Sequence, residues 1–215
     1  MIYDISRTVS AHTAVFPGDT PYSVRPLLRL EEGASVNLVT LTTTPHVGTH
    51  ADAPYHYVGA GVHPAALALD PYIGVARVVT VAVQTGAITP LALPDDLDLT
   101  HTPRLLLHTR ISDLGDSVWD DSFPYPDVTL IDWLADRGVV LIGIDTPSFD
   151  AADSADLPGH AALARHGIAN LENLMLRGVP DGVCELIALP LKLDAACASP
   201  VRAILRPFPS FAVQP

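Results

Sequence analysis

The segment from His46 to His56 constrains this chain more than any other. It reads His46-Val47-Gly48-Thr49-His50-Ala51-Asp52-Ala53-Pro54-Tyr55-His56, three histidines and an aspartate within eleven residues. The intervals between these polar side chains are four, two and four, all even, so in an extended chain all of them leave the same face. A helix would set Asp52 roughly 200° around the axis from His50. A straight strand would leave His46 and His56 roughly 33 Å apart, beyond the reach of one ion. The segment therefore has to curl, and Gly48 and Pro54 are the residues that permit and fix such bends. A curled ribbon with imidazoles and a carboxylate on its inner side is a metal cradle. One histidine would be an ordinary surface or core residue; four metal-competent side chains on one face point to metal binding.

The rest of the chain is compatible with an enzyme built around that ribbon. Its 215 residues fit one domain, 1–215, and 48% of them are hydrophobic, enough for a substantial core. No apolar run approaches the ~20 residues of a membrane helix. Met1-Ile2-Tyr3-Asp4 lacks the basic start and apolar stretch of a signal peptide, so a cytoplasmic location is expected. The net charge is −12 and Lys192 is the only lysine. A chain so poor in basic residues is a poor partner for nucleic acid or an anionic membrane. Cys184 and Cys197, the only cysteines, are expected to be reduced. They are too few for a thiolate zinc site, so nitrogen and oxygen ligands are expected.

Strands are expected over residues 2–6, 22–30, 35–44, 74–83, 104–109, 139–145, 183–190 and 201–206. Pro26 marks the second as an edge strand, and the third runs straight into the histidine ribbon. A helix is expected from Asp127, its cap, to Gly138, its stop, with Leu130, Ile131 and Leu134 as the apolar stripe. A shorter helix, about 159–166, ends at Gly167. Residues 89–100 are ambiguous, and the acidic, aromatic stretch 112–127 reads as a surface excursion. Strand–helix alternation appears only in the second half. The fold class is therefore α/β, a mixed sheet or flattened barrel with a few outer helices.

His46-x-Gly48-Thr49-His50-x-Asp52-x-Pro54-x-His56 resembles the signature of the metal-dependent cyclase-like hydrolases, most nearly the branch that deformylates N-formyl-L-kynurenine. Phe16-Pro17-Gly18-Asp19, Gly143-Ile144-Asp145-Thr146-Pro147-Ser148, Leu189-Pro190-Leu191-Lys192 and Ser199-Pro200-Val201-Arg202 resemble further landmarks of the family, so the likeness covers nearly the whole chain. It implies a mixed β/β/α, swivelling-domain-like architecture, a homodimer, and two divalent ions per chain with zinc favoured. It also implies roles. His46 and His50 bind one ion, His160 binds the second, Asp52 and Glu172 bridge both, and His56 stays off the metals as the acid/base. Phe16 stands where family members often have tryptophan and is the first candidate to contact the substrate ring, ahead of Tyr57 and Tyr22. The implied reaction is hydrolysis of the formamide of N-formyl-L-kynurenine to L-kynurenine and formate, a step of tryptophan degradation, with a small aromatic formamide as the only partner besides a second subunit. Opening of a cyclic amide such as isatin, or metal binding without catalysis, are the alternatives.

The chemistry agrees with that division. Three imidazoles and two carboxylates exceed what one tetrahedral zinc uses with a position left for water. No G-x-S-x-G elbow, G-x-G-x-x-G fingerprint or P-loop is present. Of the other histidines, His12, His63 and His101 read as loop residues, His108 as a strand residue and His166 as the end of its helix. Asp145, Thr146 and Ser148 are candidates either to orient a ligand histidine or to form a simple turn.

Overall fold

A computed structural model describes residues 1–208, so residues 209–215 of the expected domain lie outside the described residues. In chain order the strands are β1 (Tyr3–Asp4), β2 (Ser23–Leu28), β3 (Leu38–Thr42), β4 (His50–Asp52), β5 (Ile73–Thr80), β6 (Gly86–Ile88), β7 (Arg104–His108) and β8 (Pro124–Pro126). They continue with β9 (Leu141–Ile144), β10 (Ala169–Leu171), β11 (Gly182–Ile187), β12 (Ala198–Pro200) and β13 (Ile204–Pro207). Two α-helices are found among the described residues, α1 (Val128–Ala135) and α2 (Pro158–His166). Asp127 caps α1 by accepting from Leu130 N, and Gly167, in the left-handed region at φ 65°, ends α2.

Seven strands form a mixed sheet in the order β1-β13-β11-β5-β7-β9-β10. The pairs β5–β7, β7–β9 and β9–β10 are parallel, and the remainder are antiparallel. The sheet is curled. Beyond its two edge strands, Ser6 bridges to Leu174, and Met175 N donates to Ile5 O at 2.9 Å. Both faces are covered, which explains the uninterrupted apolar run of β7. Leu106 packs on one side with Ile5, Val78, Leu171, Leu186 and Leu205. Leu105 and Leu107 face the other, against Ile142, Ile144 and the helix residues Leu130, Ile131, Leu134 and Leu163. This is the expected mixed sheet with outer helices.

Two departures from the expected elements shape the surroundings of the histidine ribbon. Among the described residues the strands β2 and β3 pair only with each other, as a two-stranded hairpin whose residues are almost all exposed. The stretch 112–127 returns toward the molecule and builds a wall of the main cavity through Leu114, Asp116, Val118, Trp119 and Asp120.

Candidate metal centre

Backbone pairing carries the ribbon to the second half of the chain. His50 N donates to Glu172 O at 3.2 Å and Glu172 N to His50 O at 3.0 Å, a two-bond exchange that sets β4 beside the end of β10. On its other side β4 pairs with β12, Asp52 opposite Ala198 and His50 opposite Pro200. The curl expected from Gly48 is present. This residue has φ 73°, and a Cβ there would meet Val9 Cγ2 at 2.6 Å, so only glycine fits. Pro54 opens the short 3-10 turn that carries His56.

The structure brings His46, His50, Asp52, His56, His160 and Glu172 together. Asp52 and Glu172 lie side by side, and each turns one oxygen toward each of two imidazole groups. On one side, Asp52 Oδ1 is 3.1 Å from His46 Nδ1 and 3.4 Å from His50 Nε2, and Glu172 Oε2 is 3.3 Å from His50 Nε2. On the other, His160 Nε2 is 3.4 Å from both Asp52 Oδ2 and Glu172 Oε1. The His56 ring lies against His46, centroids 4.2 Å apart, and 6.0 Å from that of His160. It occupies the more exposed, cavity-facing side of the cluster.

The buried imidazoles are oriented by their other nitrogen. His50 Nδ1 is 2.9 Å from Gly48 O and His160 Nδ1 is 2.7 Å from Asp150 Oδ2. An N–H donated at each contact aims Nε2 at the carboxylates, as a donor while the ring is protonated and as a lone pair for a cation once it is not. Asp150 does more: its Oδ1 and Oδ2 also accept from Gly159 N and His160 N, which fixes the first turn of α2. Of the three candidates either to orient a histidine or to form a turn, Ser148 Oγ accepts from Asp150 N at 3.2 Å, while Asp145 and Thr146 are engaged elsewhere. Asp145 accepts from Thr109 N, Thr109 Oγ1 and Ser112 N, and Thr146 Oγ1 donates to Ser148 O. Asp150 takes the orienting role, and nothing in its spacing announces it.

The cluster is electrostatically unfinished without a cation. Asp52 Oδ1 and Glu172 Oε1 are buried and, apart from the imidazole nitrogens 3.1–3.4 Å away, have no hydrogen-bond partner among the described residues, a costly arrangement for carboxylates. Burial works against a charged His50, yet hydrogen bonding to Asp52 and Glu172 overrides it and raises its pKa to about 10. Burial likewise opposes a charged His160, and Asp150, Asp52 and Glu172 overturn it. Burial would raise Asp52, but the three surrounding histidines hold it well below the ordinary carboxylate range. In the absence of a cation the carboxylates thus favour protonated imidazoles, and a divalent ion would take the place of those protons. The donor set, imidazole nitrogen and paired carboxylate oxygen, fits divalent ions of the zinc type.

Above the cluster opens a cavity of about 590 Å³, a size suited to a small organic molecule. Phe16 lines it as expected, whereas Tyr22 and Tyr57 do not. Phe16 meets Trp119 edge to face with centroids 5.2 Å apart, so the 112–127 loop brings an indole to the same cavity wall. Acidic surroundings hide Trp119 in the sequence. His12 is exposed, His63 Nδ1 contacts Ala196 O, and His166 pairs with Asp132, all outside the centre.

Residues 3–151 match the family model described as "Putative cyclase". The chain therefore belongs to the cyclase family and is an amidohydrolase of that class, with a His/Asp cluster that could hold a metal ion. Among curated relatives, kynurenine formamidase of Bordetella pertussis is 47% identical over 209 residues, spanning 95% of this chain and 97% of the relative. The protein of the same name from Bordetella bronchiseptica matches equally. Among solved structures, a predicted metal-dependent hydrolase from Bacillus stearothermophilus superposes with a TM-score of 0.81 at 24% identity, over 95% of this chain and 97% of that one. Isatin hydrolase A from Labrenzia aggregata gives 0.77 at 22% identity, over 96% and 93%. At these identities the two structures share the fold.

Proposed function

We propose that the chain, acting as one hydrolase domain, converts N-formyl-L-kynurenine and water to L-kynurenine and formate. The observation that carries this reading is the paired carboxylate arrangement, one oxygen of Asp52 and of Glu172 toward each imidazole group, beneath a cavity walled by Phe16 and Trp119. The 47% identity to proteins named kynurenine formamidase supports the substrate. His46 and His50 would hold one divalent ion and His160 the other, with Asp52 and Glu172 as ligands to both, and zinc is proposed as the native metal. Bound there, the ions would supply Lewis acidity for the formyl oxygen and would lower the pKa of a bound water from ~15.7 to near ~7.

The chain's own groups do the rest. Phe16 and Trp119 hold the aniline ring by its face and edge. His56 faces the cavity, and burial together with the neighbouring imidazoles His46 and His160 lowers its pKa, the Asp52 and Glu172 carboxylates opposing. It is therefore neutral near pH 7 and able to accept a proton from water as the new C–O bond forms. It returns that proton to the aniline nitrogen as the C–N bond breaks and formate departs. Such a group contributes ~10²–10⁴-fold. His56→Ala is expected to lower kcat/KM by that factor while leaving the metal content unchanged. Loss of metal in that variant would make His56 a ligand instead.

The substrate assignment is tested by following absorbance with N-formyl-L-kynurenine and with isatin side by side. Faster turnover of isatin would replace the proposed substrate with a cyclic amide, and turnover of neither would leave a binding module. The active form is proposed to be a homodimer. Val24, Leu28, Leu38, Val39 and Leu41 are exposed on the β2–β3 hairpin, which is the surface a second subunit would cover.

A further inference from the structure

The cavity wall carries a second grouping of donors, formed by two histidines of the centre and one side chain that formamide hydrolysis leaves unused, Cys197. His46 turns Nδ1 toward Asp52 and His50, and its other nitrogen, Nε2, lies 3.2 Å from Cys197 Sγ. His56 completes the group: ligand atoms of His46, His56 and Cys197 all lie within 4.8 Å of one another. All three line the cavity and none is fully buried. The register of β12 puts the thiol there. Ala198 pairs with Asp52, and Cys197 O accepts from Ala53 N at 2.9 Å, so residue 197 is held beside the ribbon. A single thiol cannot make an all-sulfur site, but one thiolate with two imidazoles is a donor set that zinc and softer ions favour.

We propose that His46, His56 and Cys197 form an outer site for a thiophilic divalent cation, Zn²⁺ or Cd²⁺, and that filling it shuts the enzyme down. The site stands on its own geometry; the shutdown rests on the role given to His56. On binding, the Cys197 thiol releases its proton to solvent and the thiolate joins the cation. The His56 lone pair, needed for proton transfer, is then occupied. A neutral imidazole offers one lone pair, so a cation on His46 Nε2 also competes with the inner ion for that ring. A wall thiol that merely accepts a hydrogen bond from His46 would do neither.

The test uses the metal-stripped full chain, reloaded with two equivalents of cadmium and then titrated further while the ultraviolet thiolate-to-cadmium charge-transfer band is recorded. The band is expected to grow beyond the second equivalent in the wild type and in Cys184→Ala, which removes the only other thiol, and to be missing in Cys197→Ser. In parallel, excess zinc is expected to lower the wild-type rate by at least ~10-fold, given what a proton-transfer group is worth. Cys197→Ser, read against its own rate at two equivalents, should resist that loss. No band in the wild type, or a band that survives in Cys197→Ser, overturns the site. A proper band with no inhibition by excess zinc overturns the shutdown. A band without two tightly bound inner equivalents leaves the outer site standing and contradicts the dinuclear reading instead.

Discussion

Asp150 does for His160 what the carbonyl of Gly48 does for His50: each engages Nδ1 and leaves Nε2 for the centre. The two supports differ in what a mutation can reach, because a backbone carbonyl survives any substitution and a carboxylate does not. Asp150→Asn keeps size and one acceptor oxygen, yet it cannot serve Gly159 N, His160 N and His160 Nδ1 together. Metal affinity measured by competition with a chelator is expected to fall ~10–100-fold, the usual cost of losing such an orienting group. An unchanged affinity would mean that α2 alone positions His160. The contrast also explains which site residues are legible in the sequence. His46, His50 and Asp52 declare themselves because their spacing and chemistry coincide in one short segment. The contact of Asp150 with His160 depends on a loop that includes Leu157 at φ 44°, and no local pattern in a sequence encodes such a return.

At the scale of elements, α1 and α2 are legible because caps and stops are local chemistry, and β7 and β9 because buried parallel strands are continuous apolar runs. The junction that makes the centre, β4 against β10 and β12, is not. These strands are three residues each, too short to show a periodicity. Only the resemblance joins His160 and Glu172 to the ribbon. The β2–β3 hairpin is legible as strands but not as a projection, since an apolar face looks the same whether a core or a partner covers it. A lone hairpin is marginal in water, and aspartate on its apolar surface should repel a second subunit. Sedimentation velocity is expected to show a dimer for the wild type and a monomer for Val39→Asp combined with Leu41→Asp, two exposed residues on one face of β3. A wild-type monomer would remove the hairpin from the interface.

Across the whole molecule, the centre ties ionisation to stability. In the metal-stripped protein the pKa of His50 is raised from 6.5 to about 10 and that of His160 is raised in the same direction. Groups with raised folded-state pKa values contribute stability that is fully present below 6.5 and is lost as pH climbs through the folded value. The lowered Asp52 gives the opposite limb, lost as pH falls. The stripped protein should therefore lose Tm steadily from neutral pH toward pH about 10. The metal-loaded protein should hold its Tm there, because ligand imidazoles are already unprotonated. Equal alkaline losses in both forms would mean that no cation replaces those protons. Anomalous scattering from crystals reloaded with two equivalents of zinc addresses the centre most directly. A dinuclear centre should give two peaks ~3.5–4 Å apart, both within bonding distance of Asp52 and Glu172, with His46 and His50 on one and His160 on the other. A single peak, or a pair that leaves either carboxylate unbound, would contradict it.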